Sequence, residues 1–295
     1  MTKTTPFDEL FSAAGVQGWL HARDIDSGKE LEHDADAPVI LASVFKIPVL
    51  LEMYAQGEAG ELDVTAPVTV PVAGRTTGPF GISLMRDPIS MSLRDLGWLM
   101  MGISDNAATD VITERVGVDR VNATLGRLGL DQTVLMGTCQ DLFDTMLADL
   151  GADPSGSFDE LDLTKPAVLD TLRALDPTAT SRSTPRQVTE LLSQIWTDRA
   201  GSAEVCAQVR TTLGQQVWPH RLAAGFPEDP TKTSGKTGTL PRVRNECGVV
   251  EYDDGGRYAV AVFTRSTSTT QKNPAADAVI GAAARRAVDL LRGQG

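Results

Sequence analysis

The chain has 295 residues, 41% hydrophobic and 22% charged, the make-up of a soluble globular protein with room for one large core or two smaller ones. Its formal charge of −12, with no Lys/Arg cluster to override it, argues against a nucleic-acid-binding face. The three cysteines (Cys139, Cys206, Cys247) and three histidines (His21, His33, His220) are too scattered for a metal site, so neither metal nor cofactor is expected and the thiols read as buried and free.

No apolar run approaches the length of a membrane span. The first residues, Met1-Thr-Lys-Thr-Thr-Pro, lack the apolar region of an export signal. The chain as it stands therefore reads as cytoplasmic, or as secreted or periplasmic if a leader has been removed. It is expected to act as a monomer on a small-molecule substrate.

In chain order, a short helix over Phe7 to Ala14 is followed by two strands, Val16 to Asp26 and Lys29 to His33, around Asp26-Ser27-Gly28. The apolar stretch Leu41 to Leu51 opens a buried helix that runs to about Ala55 and ends at Gly57. Residues 61–92 are broken by Pro67, Pro71, Gly74, Gly78, Pro79, Gly81 and Pro88 and read as loop. Ser92 caps the next helix, a further one starts at Asp105 or Asn106, and a third covers Val118 to Leu128. Residues 137–183 resist assignment apart from a helical patch over Leu142 to Leu150.

Thr184-Pro185 is a helix start, with Thr as cap and Pro in the first turn, and the helix reaches Trp196. Another spans Ser202 to Leu213. Three strands follow, Thr231 to Leu240, Asn245 to Tyr252 and Arg257 to Thr264, and an alanine-rich helix over Pro274 to Arg292 closes the chain. This order predicts an α+β fold, with a five-stranded antiparallel sheet built from both chain ends, flanked by helices. One domain is expected over 1–295, with a sheet subdomain from about 1–58 and 200–295 and an inserted all-helical subdomain from about 59–199.

Two polar side chains interrupt the stretch from Leu41 to Leu51. Ser43 and Lys46 stand three apart and share one helix face. An amine in apolar surroundings is disfavoured as its cation and can accept a serine proton. The helix N-terminus favours negative charge on a nucleophile or oxyanion. A capping serine beside a snorkelling lysine accounts for the same residues, and both readings stand for this stretch alone. Ser104-Asp105-Asn106, in a turn between two helices, and Lys236-Thr237-Gly238, on a strand, are each unremarkable singly. All three in this order would arise by chance in roughly one such chain per thousand.

Together, Ser43-Val-Phe-Lys46, Ser104-Asp-Asn106 and Lys236-Thr-Gly238 resemble the three motifs of the class A β-lactamases and penicillin-binding proteins. The resemblance extends to Asn106-Ala-Ala-Thr-Asp110, Thr184-Pro185 and Arg244-Asn245-Glu246. It implies a site in the crevice between sheet and helical subdomain. Ser43 would be the nucleophile that opens an amide, Lys46 would help take its proton, and Ser104 would relay a proton to the leaving nitrogen. Asn106 would bond Lys46 or substrate, and Lys236 would supply positive potential. The backbone N–H groups of Ser43 and Thr239 would form an oxyanion hole, each donor worth roughly 3 to 4 kcal/mol. Thr237, Gly238, Thr239 and Arg244 would bind substrate, Arg244 through bidentate contact with a carboxylate, with Arg242 a competitor for that role.

The resemblance also implies a glutamate in a Glu-x-x-Leu-Asn pattern, placing the water that clears the acyl-enzyme. No such pattern lies between Ser104 and Thr184, a span longer than the family leads one to expect. The nearest match, Glu160-Leu-Asp-Leu163-Thr164, is the candidate deacylation base, with a solvated surface carboxylate as its alternative. Three functions are therefore carried forward. They are a β-lactamase, a related esterase, amidase or D-Ala-D-Ala peptidase-like hydrolase, and a penicillin-binding relative with slow or no deacylation.

Overall fold

A computed structural model describes residues 6–153, 163, 165–228 and 230–294. After α1 (Asp8–Ala13), β1 (Val16–Asp24) and β2 (Glu30–His33), a short strand β3 (Val39–Ile40) leads into a 3-10 turn over Ala42–Phe45 and then α2 (Lys46–Glu58). Two short strands, β4 (Pro67–Val70) and β5 (Ile89–Ser92), precede α3 (Leu93–Gly102), α4 (Asn106–Val116), α5 (Val118–Arg127) and α6 (Cys139–Asp149). The chain continues through α7 (Pro166–Leu169), β6 (Arg182–Ser183), α8 (Pro185–Trp196) and α9 (Ala203–Leu213). It ends in β7 (Thr231–Leu240), β8 (Val243–Tyr252), β9 (Arg257–Ser266) and α10 (Pro274–Leu291).

The main sheet has the order β2-β1-β9-β8-β7, with every neighbouring pair antiparallel. Both chain ends thus build it, as expected. Leu20, Ala22, Val260 and Val262 turn one face toward α1 and α10, whose Phe11, Ile280, Ala284 and Val288 complete that layer. Trp19, Ala259, Ala261 and Phe263 meet the other layer, where Val188, Leu191 and Leu192 of α8 pack. This is the alternation that a strand with period-two side chains imposes when both faces are covered. The apolar residues of α2 join the same core and place the helix among α4, α5 and α9.

Local signals set most helix starts. Ser92, Asp105, Ser202 and Asn273 each accept a hydrogen bond from a first-turn backbone N–H, as does Thr184 ahead of Pro185. Two segments depart from expectation. Residues 61–92 hold the β4–β5 ladder, with Val68 opposite Met91, a non-local pairing that their prolines and glycines disguise. The helix placed at Leu142 begins earlier, at Cys139, because Thr138 and Asp141 form a reciprocal capping box. Among the described residues, no helix is long and apolar enough to cross a membrane.

Thr184 is buried and caps the helix that covers one sheet face. Thr184→Ala is expected to lower unfolding stability by about 1 kcal/mol, read as a lower urea midpoint with an unchanged slope.

Candidate active site

The crevice is assembled where α2, the α3–α4 turn and β7 converge. Gly238 allows β7 to run against the segment before Ser43, since a Cβ there would lie 2.7 Å from the Leu41 carbonyl oxygen and 3.3 Å from the Ala42 Cβ. Across the next strand, buried Asn245 donates from Nδ2 to the Ile40 carbonyl at 2.8 Å, and its Oδ1 accepts from the Thr264 N–H at 3.3 Å. These contacts pin the serine-bearing turn to the sheet. Ala42 has φ +46° and Ser104 φ +65°, so two non-glycine residues are held in the left-handed region at the site, at a cost of about 1–3 kcal/mol each. Tertiary packing must offset that strain.

Ser43 is partly exposed, while Lys46 at the start of α2 is completely buried. The Lys46 Nζ lies 2.9 Å from the Ser104 carbonyl oxygen, 3.2 Å from Ser104 Oγ and 3.2 Å from Asn106 Oδ1. Burial lowers the Lys46 pKa below its ordinary 10.5, although Cys139, Asp110 and Asp105 act the other way. The three oxygens match the three N–H groups of the cation and equally accommodate a neutral amine. Two carbonyl-type oxygens take its two N–H groups, and the Ser104 hydroxyl can donate to its lone pair.

Lys236 is also fully buried and donates to the Thr237 carbonyl at 3.0 Å. Burial first, and then the nearby Lys46, push its pKa well below the usual lysine value. The three sequence motifs therefore meet in space. Thr239 is exposed on β7, and Thr237, buried, donates its N–H to Gln216 Oε1 at 2.7 Å.

The arginine expected at the substrate carboxylate is engaged elsewhere. Arg244 donates to the carbonyls of Leu240 and Val243 at 3.1 and 3.0 Å and to that of Gln271, with Asp277 3.7 Å from its Nε. Its competitor Arg242 pairs with Asp170 at 2.5 Å. Arg221 instead reaches the site, donating to Thr239 Oγ1 at 2.9 Å and to the Gly238 and Asn245 carbonyls at 3.0 Å each, backed by Asp277 at 2.7 Å. No local pattern marks Arg221, which lies in the irregular stretch between α9 and β7.

Glu160 lies outside the described residues. Of the carboxylates that act on Lys46, Asp105 accepts from the Ile82 and Ala108 N–H groups at 2.6 and 3.1 Å. Asp110 accepts from Thr76 Oγ1 at 2.5 Å and from the N–H groups of Cys139 and Gln140 at 2.7 and 2.8 Å. Both are occupied in holding backbone. Their bonds bring the start of α6 to the site, where the Cys139 thiol lies 3.6 Å from Asn106 Oδ1. Burial pushes the Cys139 pKa up to about 12, so this thiol stays protonated. Among the described residues there is no cluster of side chains able to hold a metal ion.

A buried lysine linking a serine-bearing helix start to a Ser-Asp-Asn turn, opposite a Lys-Thr-Gly strand on a five-stranded sheet, defines the fold of the serine hydrolases of β-lactamase type. Over residues 4–291 the chain matches the model of the Beta-lactamase enzyme family, and it belongs to that family. It is 30% identical to the Beta-lactamase regulatory protein BlaB of Streptomyces cacaoi, over 94% of each chain. Its fold is like that of a β-lactamase from Sphaerobacter thermophilus (TM-score 0.76, 24% identity, 97% of each chain). It is also like that of a PBP-A mutant in an acyl-enzyme complex with penicillin G (TM-score 0.74, 19% identity, 97% of this chain and 95% of that one).

The close approach at Gly238 yields a direct check. Gly238→Ala is expected to destabilise the protein by about 1–3 kcal/mol, measured by chemical denaturation, because the Leu41 carbonyl is backbone and cannot swing aside.

Proposed function

We propose that the protein is acylated on Ser43 by β-lactams or related amides of the D-Ala-D-Ala type and releases the acyl group slowly. The observation that carries this reading is the buried Lys46 amine, whose N–H groups point at Ser104 and Asn106 and whose charge burial disfavours. Ser43 Oγ attacks the amide carbonyl carbon, a C–O bond forms, and the hydroxyl proton passes to Lys46. The oxyanion is stabilised by the backbone N–H groups of Ser43 and Thr239. As the C–N bond breaks, the proton moves from Lys46 through Ser104 Oγ to the leaving nitrogen. Lys236 and the Arg221–Thr239 pair supply positive potential for a substrate carboxylate.

Slow release is supported by the environment of the amine. Hydrolysis of the ester needs a base to activate water, and among the described residues the two carboxylates that act on Lys46, Asp105 and Asp110, are committed to backbone N–H groups. The side chain beside Asn106 is a protonated thiol, which cannot serve. The reading also accords with a relative whose name describes it as regulatory, the Beta-lactamase regulatory protein BlaB.

Incubation with a chromogenic cephalosporin, followed by intact-mass spectrometry, is expected to show one persistent adduct per chain, absent from Ser43→Ala. Wild-type protein with no adduct overturns the acyl-enzyme reading, and rapid sustained turnover overturns slow release. Cys139→Glu, which sets a carboxylate beside Asn106 and Lys46, should shorten the adduct lifetime by at least about tenfold, whereas Glu160→Gln should leave it unchanged. The acylation rate should rise with pH along a limb centred below 10.5, because the neutral form of Lys46 accepts the proton and burial lowers its pKa. A stopped-flow pH profile measures that limb.

A further inference from the structure

The end of the main sheet that holds the β7–β8 turn carries a recess of about 620 Å³. Its walls include Ser12 of α1, Arg242 of the β7–β8 turn, Arg265 and Ser266 at the end of β9, Thr267 beyond it, and Asp170 after α7. The chain carries a formal charge of −12, yet here two arginines face one carboxylate. None of the residues lining the recess belongs to the three motifs around Ser43.

Arg242 is held at a cost. Its φ of +62° places a non-glycine residue in the left-handed region, and the Ser266 N–H ties it there by donating to its carbonyl at 2.8 Å. Its side chain is 10% exposed, and its Nε is buried with no hydrogen-bond partner among the described residues, which leaves a donor desolvated and unpaid for by any bond. Its carboxylate partner, Asp170, takes one N–H at 2.5 Å and is itself 64% exposed, the setting in which an ion pair contributes least. A guanidinium has five N–H groups to offer, so this one is under-used.

The groups beside it are donors too. Arg265 is partly buried, and its charge acts on Asp176, but its guanidinium has no hydrogen bond or ion pair among the described residues. Ser266 Oγ accepts from the Ser268 N–H at 3.0 Å and from Asn273 Nδ2 at 3.4 Å. Both lone pairs are thereby taken, and its own hydrogen is left to donate.

We propose that this recess binds the phosphate group of a small phosphorylated metabolite, held by Arg242, Arg265 and the Ser266 hydroxyl, with the phosphate displacing Asp170 from Arg242. Guanidinium groups match phosphate oxygens in bidentate geometry, and a dianion between two cations gains more than a single carboxylate does. The volume falls within the roughly 300–1,000 Å³ of small-molecule sites, which leaves space for the organic part of the ligand. The site is separate from the Ser43 crevice and does not depend on the acyl-enzyme reading.

Isothermal titration calorimetry of the full chain with glycerol 3-phosphate, above its second ionisation, tests this. Wild type should bind one equivalent saturably at millimolar concentration. Arg242→Gln and Arg265→Gln should each weaken binding by about tenfold or more, as expected for loss of a charge-assisted contact. Asp170→Asn should tighten it by about two- to fivefold, because the competing carboxylate is gone. Asp170 is exposed, so this variant decides the matter even if an arginine variant fails to fold. No saturable binding to wild type overturns the proposal. So does binding that neither arginine variant weakens, or that Asp170→Asn weakens. Succinate serves as the dicarboxylate comparison, and affinity equal to that of glycerol 3-phosphate overturns the assignment to phosphate.

Discussion

A primary amine with no exposed surface sits where α2, the α3–α4 turn and β7 converge, and the rest of the site is arranged to make its burial tolerable. Desolvating an ammonium costs several kcal/mol unless it is paired or neutralised. Among the described residues, Lys46 meets no carboxylate directly. It meets two carbonyl-type oxygens and a hydroxyl, a set that satisfies a neutral amine. The left-handed backbone at Ser104 belongs to the turn that offers Lys46 both its carbonyl and its hydroxyl. Strain at one residue and desolvation at another are thus parts of a single arrangement, held by Gly238 and Asn245 against the sheet.

The same constraint divides the chemistry. In the proposed function, a proton acceptor buried beside a partly exposed serine serves attack on a carbonyl. Clearing the resulting ester calls for a different group, a carboxylate free to orient water. Asp110 would have the right charge, but it accepts from Thr76, Cys139 and Gln140. Those bonds anchor the start of α6 and bring a protonated thiol to the place beside Asn106. Stability at this corner and slow release in the proposed function have one cause.

Around that centre, the crevice is bordered by groups that act through backbone. Gln216 spans the Thr237 N–H and the buried Glu246 at 2.7 Å each, and Arg221 spans Thr239 and Asp277. Burial raises the Glu246 pKa, opposed by bonds from Leu222 and Gln216 and by the charges of Arg221 and Lys236. These buried polar residues link β7 and β8 to the stretch before β7, whose outer end carries Trp218. The strand that holds Lys236 and the stretch before it are therefore mechanically continuous.

Much of this was legible in the amino-acid order. Caps at Ser92, Asp105, Thr184 and Ser202, strand alternation near both ends and the spacing of the three motifs are local patterns, and each is read from a few adjacent residues. They determined the element order and the α+β architecture. Other features depend on pairs far apart in the chain. Val68 meets Met91 behind a screen of prolines, and Asp110 recruits Cys139 through backbone N–H groups that carry no sequence signature. Arg221, and not Arg244, touches Thr239, because Leu240, Val243 and Gln271 carbonyls had already claimed the latter's guanidinium. Sequence alone determined which chemical groups are present and in what local conformation. Tertiary structure decided which of them remain uncommitted, because a donor or acceptor is spent only when packing brings its partner within about 3 Å.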